Sequence, residues 1–136
     1  IEGPRPVVIA AIVWIGLLVV PWASSNLGDT VDDPNADVGA VVDALTERGI
    51  SRVAGNFWWV LPVEYQSDRR IRGEVVGNPY VVRLPESHEI VEAADDSEVA
   101  FVFDSSDEDV SRLRMPIDRY ERREVGRAVL YVPLTA

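Results

Sequence analysis

The N-terminal part of the chain is an uninterrupted apolar run. No charged residue occurs from Pro6 to Gly28. A membrane-spanning helix needs roughly 20 mainly apolar residues, with about 17 as the lower limit, and residues 6–23 meet that minimum. Pro6 suits a first helical turn, and Trp22 lies where an interfacial aromatic side chain belongs. The pattern predicts one transmembrane helix over residues 6–23, within an N-terminal segment 1–23.

The charges that flank this run predict its orientation in the cell membrane. Arg5 precedes the run and Asp29 follows it, which favours a cytoplasmic N-terminus and an extracytoplasmic remainder. Three alternatives are a cleaved signal peptide, a buried helix of a soluble domain, and a signal anchor. Pro21 disfavours signal-peptide cleavage after Ala23, and a signal anchor would need a nearby Met. Because the chain begins with Ile1, we expect it to be a piece of a longer polypeptide.

Beyond the apolar run, residues 24–35 have the composition of a linker and residues 36–136 the pattern of an α/β domain. A helix that begins at Pro34, with Asp33 as its N-cap, is predicted by four apolar residues at i, i+3, i+4 and i+7: Val38, Val41, Val42 and Leu45. Gly49 is its predicted left-handed C-cap, and residues 50–54 follow as a strand. The succession of helix, glycine and strand is typical of an α/β layered fold.

The later elements are predicted from turn residues and apolar runs. Five apolar residues in succession, Val99–Phe103, predict a central strand that is covered on both faces. The other predicted elements are an aromatic turn at 57–59 stopped by Pro62, extended segments at 63–66 and 70–76 joined by a turn, a strand at 80–84, a short helix capped by Ser87, a helix from Ser105 to about Arg114, and an edge hairpin of 120–125 with 128–132. Together they predict a small Rossmann-like α/β layered domain with a mixed sheet.

Composition excludes several kinds of chemistry. The net charge is -10, from 23 acidic and 13 basic residues, and this disfavours nucleic acid as a partner. The chain has no cysteine, so disulfides, zinc-thiolate sites and thiol nucleophiles are excluded. Its single histidine leaves little material for a catalytic triad. We therefore predict no metal, no cofactor and no catalytic residue in these 136 residues.

Three groups of polar residues could still carry chemistry. Asp107 and Asp109 have the D-x-D spacing of a divalent-cation site, although helix capping is the favoured interpretation. His88 stands between two glutamates and is interpreted as a surface residue. Arg70 belongs to an arginine cluster that also contains Arg69 and could bind phosphate, but pairing with the many acids is the favoured alternative.

Residues 45–71 resemble a segment of polytopic GT-C glycosyltransferases related to the dolichyl-phosphate-mannose-protein mannosyltransferases. In that family a last membrane helix precedes a small extracytoplasmic α/β domain with an Asp-Tyr-Trp-like turn and a Ser-x-x-Arg-Ile ending. Here the turn is Asn56-Phe57-Trp58, and the ending matches at three residues: Ser67, Arg70 and Ile71. Residues 99–106 and 120–134 are similar to the buried strand and the closing hairpin of the family. Asn56 and Phe57 replace a carboxylate and a phenol, so no acid or hydroxyl role of the turn carries over.

The resemblance implies the non-catalytic, extracytoplasmic C-terminal portion of a membrane glycosyltransferase with a polyprenyl-phosphate sugar donor. Its catalytic carboxylate would lie in an early loop that is outside this sequence. Implied partners are membrane lipid, the lipid-linked sugar and an acceptor, but not nucleic acid. The candidate contact residues for substrate or for the catalytic membrane body are Asn56, Phe57, Trp58, Ser67 and Arg70.

Because the two adjacent tryptophans, Trp58 and Trp59, cannot easily share one core, we expect one ring to be exposed; the alternative is that both pack inside. The rival interpretation of the chain is a membrane-anchored binding or interaction module without enzymatic activity.

Overall fold

The structure, a computed structural model, describes residues 34–77 and 84–134. This part of the chain contains a five-stranded mixed sheet and three helices. The predicted transmembrane segment 6–23 lies outside the described residues, as does nearly all of the predicted strand 80–84. Among the residues that are described, no helix is both long enough and apolar enough to cross a membrane.

The helices are α1 (Pro34–Glu47), α2 (Phe57–Gln66) and α3 (Pro85–Glu92). The strands are β1 (Arg52–Gly55), β2 (Arg72–Val75), β3 (Val99–Asp104), β4 (Tyr120–Val125) and β5 (Ala128–Pro133). Their order in the sheet is β2-β1-β3-β5-β4. The first three strands are parallel, whereas β5 and β4 run antiparallel to their neighbours. The sheet is therefore parallel at one end and closes with a hairpin at the other.

Helix α1 forms where the apolar period predicted it. All four residues of that period are buried, and Val41 and Leu45 are completely inaccessible. Gly49 ends the turn after α1 with a φ of 68°, the left-handed conformation expected of a C-cap glycine. The predicted helix and its C-cap glycine are confirmed, and the predicted N-cap, Asp33, lies outside the described residues.

The two faces of the sheet bury separate apolar clusters. One cluster joins residues of α1 and α2 to Val53, Val102 and Leu130, and the other joins Val91 of α3 to Phe101 and neighbouring strand residues. Successive residues of a strand point to opposite faces, so β3 contributes to both clusters. Every residue of Val99–Phe103 is at most 3% exposed, which confirms the predicted central strand. The predicted edge hairpin is also confirmed as β4 and β5.

The predicted aromatic turn and the extended segment at 63–66 are wrong, because both belong to helix α2. Asn56 caps this helix, and Pro62 lies inside it. A proline in a helix removes one backbone hydrogen bond. The burial of Trp59, Val60 and Val63 against the sheet outweighs that loss. The chain consequently reaches β2 through a helix and pairs it parallel to β1.

Two predicted helix caps are also wrong. Helix α3 begins at Pro85, and Ser87 is its third residue, with a hydroxyl that donates to Glu64 at 2.6 Å. The predicted helix from Ser105 is replaced by a single 3-10 turn, Val110–Arg112. Ser105 and Glu108 have the spacing of a capping box in the sequence, but the Glu108 carboxylate accepts hydrogen bonds from two strand side chains, Arg122 and Tyr131.

Candidate functional site

A cavity of about 370 Å³ opens at the carboxyl ends of the three parallel strands. It is lined by residues 56–58 after β1, residues 75–77 at the end of β2, Phe103 of β3, and Asp107, Asp109 and Arg112 from the segment after β3. Ligand sites of open α/β sheets lie outside the carboxyl ends of the strands, in the crevice where connections leave in different directions. The position and size of this cavity make it the candidate functional site.

The strand ends that form the floor of the cavity are held close together. The backbone N–H of Asn56 donates to the Val102 carbonyl at 3.1 Å, and that of Val76 donates to the Gly55 carbonyl at 2.9 Å. A Cβ atom on Gly55 would overlap the carbonyl oxygen of Val102. Glycine is therefore required at this position by the close approach of β1 to β3.

The start of α2 forms one wall. The Asn56 side-chain oxygen accepts a 2.9 Å hydrogen bond from the backbone N–H of Trp58 and so caps the helix. Phe57 packs edge-on against Trp58, with 5.1 Å between the ring centroids. Trp59 is only 5% exposed, whereas Trp58 is 77% exposed. The expectation that one of the two adjacent rings is exposed is therefore confirmed.

The segment after β3 also lines the cavity and carries its charged groups, Asp107, Asp109 and Arg112. Arg112 Nε donates to Asp109 Oδ2 at 3.1 Å. Hydrogen bonds from Ser111 and then from Arg112 hold the pKa of Asp109 below its usual value. Asp104, where β3 ends, accepts from Ser106 in the same way, and its pKa is lowered mainly by that hydroxyl and by the Ser106 backbone N–H.

Glu108 fixes this charged segment to the hairpin. The guanidinium of Arg122 on β4 donates to both carboxylate oxygens of Glu108, at 2.9 and 3.0 Å. The hydroxyl of Tyr131 on β5 donates to the same carboxylate. These hydrogen bonds, that of Arg122 first, lower the pKa of Glu108 to about 2. Burial and the bond to Glu108 raise the pKa of the Tyr131 hydroxyl.

Asp107 and Asp109, the two acids of the D-x-D sequence, both line the cavity. Glu108 is turned to the hairpin, while Asp109 is occupied by Ser111 and Arg112. Within residues 34–77 and 84–134, no group of three or more histidine, aspartate or glutamate side chains is arranged to hold a metal ion. His88 does not stand alone, because its ring nitrogens lie 3.2 Å from Glu74 and 3.0 Å from Glu92.

The structure separates the five predicted contact residues into two groups. Asn56, Phe57 and Trp58 line the cavity. Ser67 and Arg70 follow the other end of α2, which is ten residues long and therefore about 15 Å in length. Two hydrogen bonds of Ser67, from its hydroxyl to the Glu64 carbonyl and from the Ile71 N–H to its hydroxyl, shape the turn into β2.

Arg70 belongs to the same turn, since its Nε donates to the Ser67 carbonyl at 2.9 Å. The family resemblance therefore groups three residues that line the cavity with two residues of the turn at the opposite end of helix α2. Three further residues line the cavity and are not among the five predicted contact residues: Val76, Gly77 and Arg112. For Val76 and Gly77 the available signal was positional, because they directly follow strand β2. Arg112 lies in the 3-10 turn Val110–Arg112, away from any strand end, and carries no such signal.

The side chains around the cavity are suited to binding hydroxyl groups. Two carboxylates, one guanidinium and one carboxamide line it beside the exposed indole of Trp58. Carboxylates accept hydrogen bonds and guanidinium groups donate them, while an indole offers an apolar face. The formal charge of Asp107, Asp109 and Arg112 together is negative, which opposes the binding of a phosphate in the cavity itself.

Comparisons of the chain with protein-family models, with curated proteins and with solved structures give no match. Functional assignment therefore rests on the geometry of the cavity and on the sequence resemblance.

Proposed function

We propose that this chain is the C-terminal, extracytoplasmic, non-catalytic part of a membrane glycosyltransferase that uses a polyprenyl-phosphate sugar. In this proposal residues 6–23 are the last membrane helix, and a Rossmann-like domain follows. The domain positions the sugar of the donor or of the acceptor. The observation that carries the proposal is the cavity at the carboxyl ends of β1, β2 and β3, which both Trp58 and Arg112 line.

The arrangement of the sheet supports a Rossmann-like interpretation. Helix α2, between β1 and β2, packs in the apolar cluster on one face, and α3, between β2 and β3, packs in the cluster on the other face. In such doubly wound sheets the binding crevice lies where neighbouring connections diverge. Strand β1 stands between β2 and β3, so its carboxyl end, Gly55-Asn56, is that place.

The chemistry of the cavity favours the sugar of a lipid-linked donor over its phosphate. A pyranose presents C–H groups on one face and hydroxyls around its rim. The ring of Trp58 can contact the first, and Asp107, Asp109 and Arg112 can hydrogen-bond the second. The volume of about 370 Å³ lies within the range of small-molecule sites.

Binding of a sugar-bearing lipid to the whole chain tests the proposal. The chain would be placed in nanodiscs and titrated with a short-chain polyprenyl-phosphomannose, while NMR follows the Trp58 indole and the Gly77 amide. We expect saturable shifts, and binding roughly tenfold weaker in Arg112→Ala, which corresponds to about 1.4 kcal/mol.

Arg70→Ala is the matched control, because it removes an arginine at the far end of α2, and it should bind as the wild type does. Polyprenyl phosphate without sugar should leave both resonances unchanged. The proposal is overturned if the two lipids give equal shifts, or if Arg112→Ala and Arg70→Ala have the same effect.

A further inference from the structure

Helix α2 exposes an apolar face along its whole length. Its members follow the spacing i, i+3, i+4 and i+7, and they are Trp58, Leu61, Pro62 and Tyr65. The outer two are 77% and 88% exposed, and the inner two are half-buried. Residues at this spacing lie on one side of a helix. We refer to these four residues as the α2 outer face.

The opposite side of α2 is already buried in the domain. Trp59, Val60 and Val63 belong to the core, and Glu64, the one charged residue between Phe57 and Gln66, is 2% exposed. A surface helix of a globular domain ordinarily has an apolar side and a charged side. Helix α2 instead has two apolar sides, and only one of them is covered by the sheet. An exposed apolar surface of this kind marks an interaction site.

The N-terminal part of the sequence indicates what covers the α2 outer face. Residues 6–23 are predicted to span a membrane, and only ten residues, 24–33, separate them from α1. Ten residues reach at most about 35 Å, so the domain would be held close to the bilayer surface. Tryptophan and tyrosine are the side chains enriched at membrane interfaces, and they are the two most exposed members of this face.

We propose that the α2 outer face lies in the headgroup region of the bilayer, with Trp58 and Tyr65 as its two interfacial anchors. This docking rests on the membrane anchoring in the proposed function. Because Trp58 belongs both to this face and to the wall of the cavity, docking would bring the cavity to the level of lipid headgroups. A neutral, zwitterionic surface suits the face, since the chain carries a net charge of -10.

Spin labels on the intact chain in phosphatidylcholine vesicles can test this docking. The sequence has no cysteine, so a single Tyr65→Cys substitution gives one labelled site. Glu89→Cys, an exposed position on α3 at the other face of the sheet, is the aqueous control. Val13→Cys, within the predicted transmembrane run, reports membrane insertion independently. Collision rates would be measured with oxygen, which concentrates in lipid, and with a water-soluble nickel chelate.

The label at position 65 should collide with the nickel chelate several-fold less often than the label at 89, while oxygen collisions stay high. The docking proposal is overturned if position 65 is as accessible to nickel as position 89. It is also overturned if position 65 is shielded from both reagents, because that result indicates a protein partner or a second copy.

The label at position 13 distinguishes failure of the docking proposal from failure of the proposed membrane helix. A lipid-exposed label at 13 with a water-exposed label at 65 contradicts docking alone. A water-exposed label at 13 with a lipid-exposed label at 65 contradicts the membrane helix and supports docking.

Discussion

The hydroxyl of Ser87 on α3 donates a 2.6 Å hydrogen bond to the carboxylate of Glu64 on α2. The other oxygen of that carboxylate accepts from the Gly73 N–H of β2 at 2.8 Å. Ser87 is fully buried and Glu64 is 2% exposed. Arg69, which lies 3.4 Å from the carboxylate, and Arg72, at 3.9 Å, balance its charge. One buried acid therefore ties the two helices to the edge strand between them.

Removing that acid should destabilise the domain. Glu64→Ala leaves two buried donors without their acceptor, and each such group costs about 1–3 kcal/mol. Ser87→Ala removes one donor and should cost about 1 kcal/mol. Urea unfolding of the purified chain in detergent measures both. If Glu64→Ala lowers the free energy of unfolding by no more than Ser87→Ala does, the Glu64 carboxylate does not hold α2, α3 and β2 together.

Strand β3 provides a second stability prediction. Phe101 is 1% exposed and packs against Tyr120 and Phe103, with ring centroids 6.0 and 6.3 Å away. Phe101→Ala should lower the free energy of unfolding by about 3–5 kcal/mol, as for other core phenylalanines. Val110→Ala, at a residue that is 46% exposed, should change it by less than about 0.5 kcal/mol. A loss under about 1 kcal/mol for Phe101→Ala would contradict a central position of β3.

Alanine substitutions at two glycines distinguish the loss of stability caused by steric crowding from the loss caused by backbone conformation. At Gly49, with a φ of 68°, an added Cβ has no atom within 4 Å, so Gly49→Ala should cost about 1–2 kcal/mol from its left-handed backbone. In Gly55→Ala the added Cβ overlaps the Val102 carbonyl oxygen, so this substitution should lower the free energy of unfolding by more than Gly49→Ala does. It should also shift the amide resonances of Asn56 and Val76 at the floor of the cavity. Equal costs, with those resonances unmoved, would refute the tight approach of β1 to β3.

The low pKa of Glu108 predicts how stability changes in acid. Its value in the folded chain is about 2, below the ordinary 4.5, so the folded state prefers the ionised carboxylate. The stability from Arg122 and Tyr131 is complete above about pH 4.5 and is lost as the pH falls towards about 2. The difference in unfolding free energy between wild type and Glu108→Gln should therefore shrink over this range. The exposed control Glu89→Gln should show no such convergence; a constant difference for Glu108→Gln would contradict the assignment.

Elements whose own sequence carries a clear pattern could be predicted. Helix α1 has a complete apolar period ending at Gly49, β3 has a continuous apolar run, and the hairpin has two runs around Gly126. Helix α2 could not be predicted, because its apolar residues occupy both sides and Pro62 resembles a stop. Its helical state depends on the Asn56 cap and on burial of one side against the sheet, and the second of these is a tertiary effect.

The candidate site was predictable only in part for the same reason. The aromatic residues at the start of α2 stand out in the sequence, and the structure places them in the cavity. The family resemblance groups Ser67 and Arg70 with them, and the sequence predicts an extended segment over residues 63–66 where the structure has the end of helix α2. Arg112 belongs to a segment whose Glu108 bonds to Arg122 and Tyr131, which are 14 and 23 residues away. The local spacing of Ser105 and Glu108 instead favoured a helix.

The most direct test of the central claim, that the cavity positions a sugar, is sugar transfer by the membrane glycosyltransferase of which this chain is proposed to be a part. Transfer from a polyprenyl-phosphomannose donor would be measured per folded molecule for Arg112→Ala, Asp107→Asn and the distant control Arg70→Ala. We expect the two cavity variants to lose roughly tenfold or more in transfer, or about 1.4 kcal/mol, at unchanged abundance, while Arg70→Ala keeps wild-type activity. Cavity variants that transfer sugar as fast as Arg70→Ala would contradict the claim.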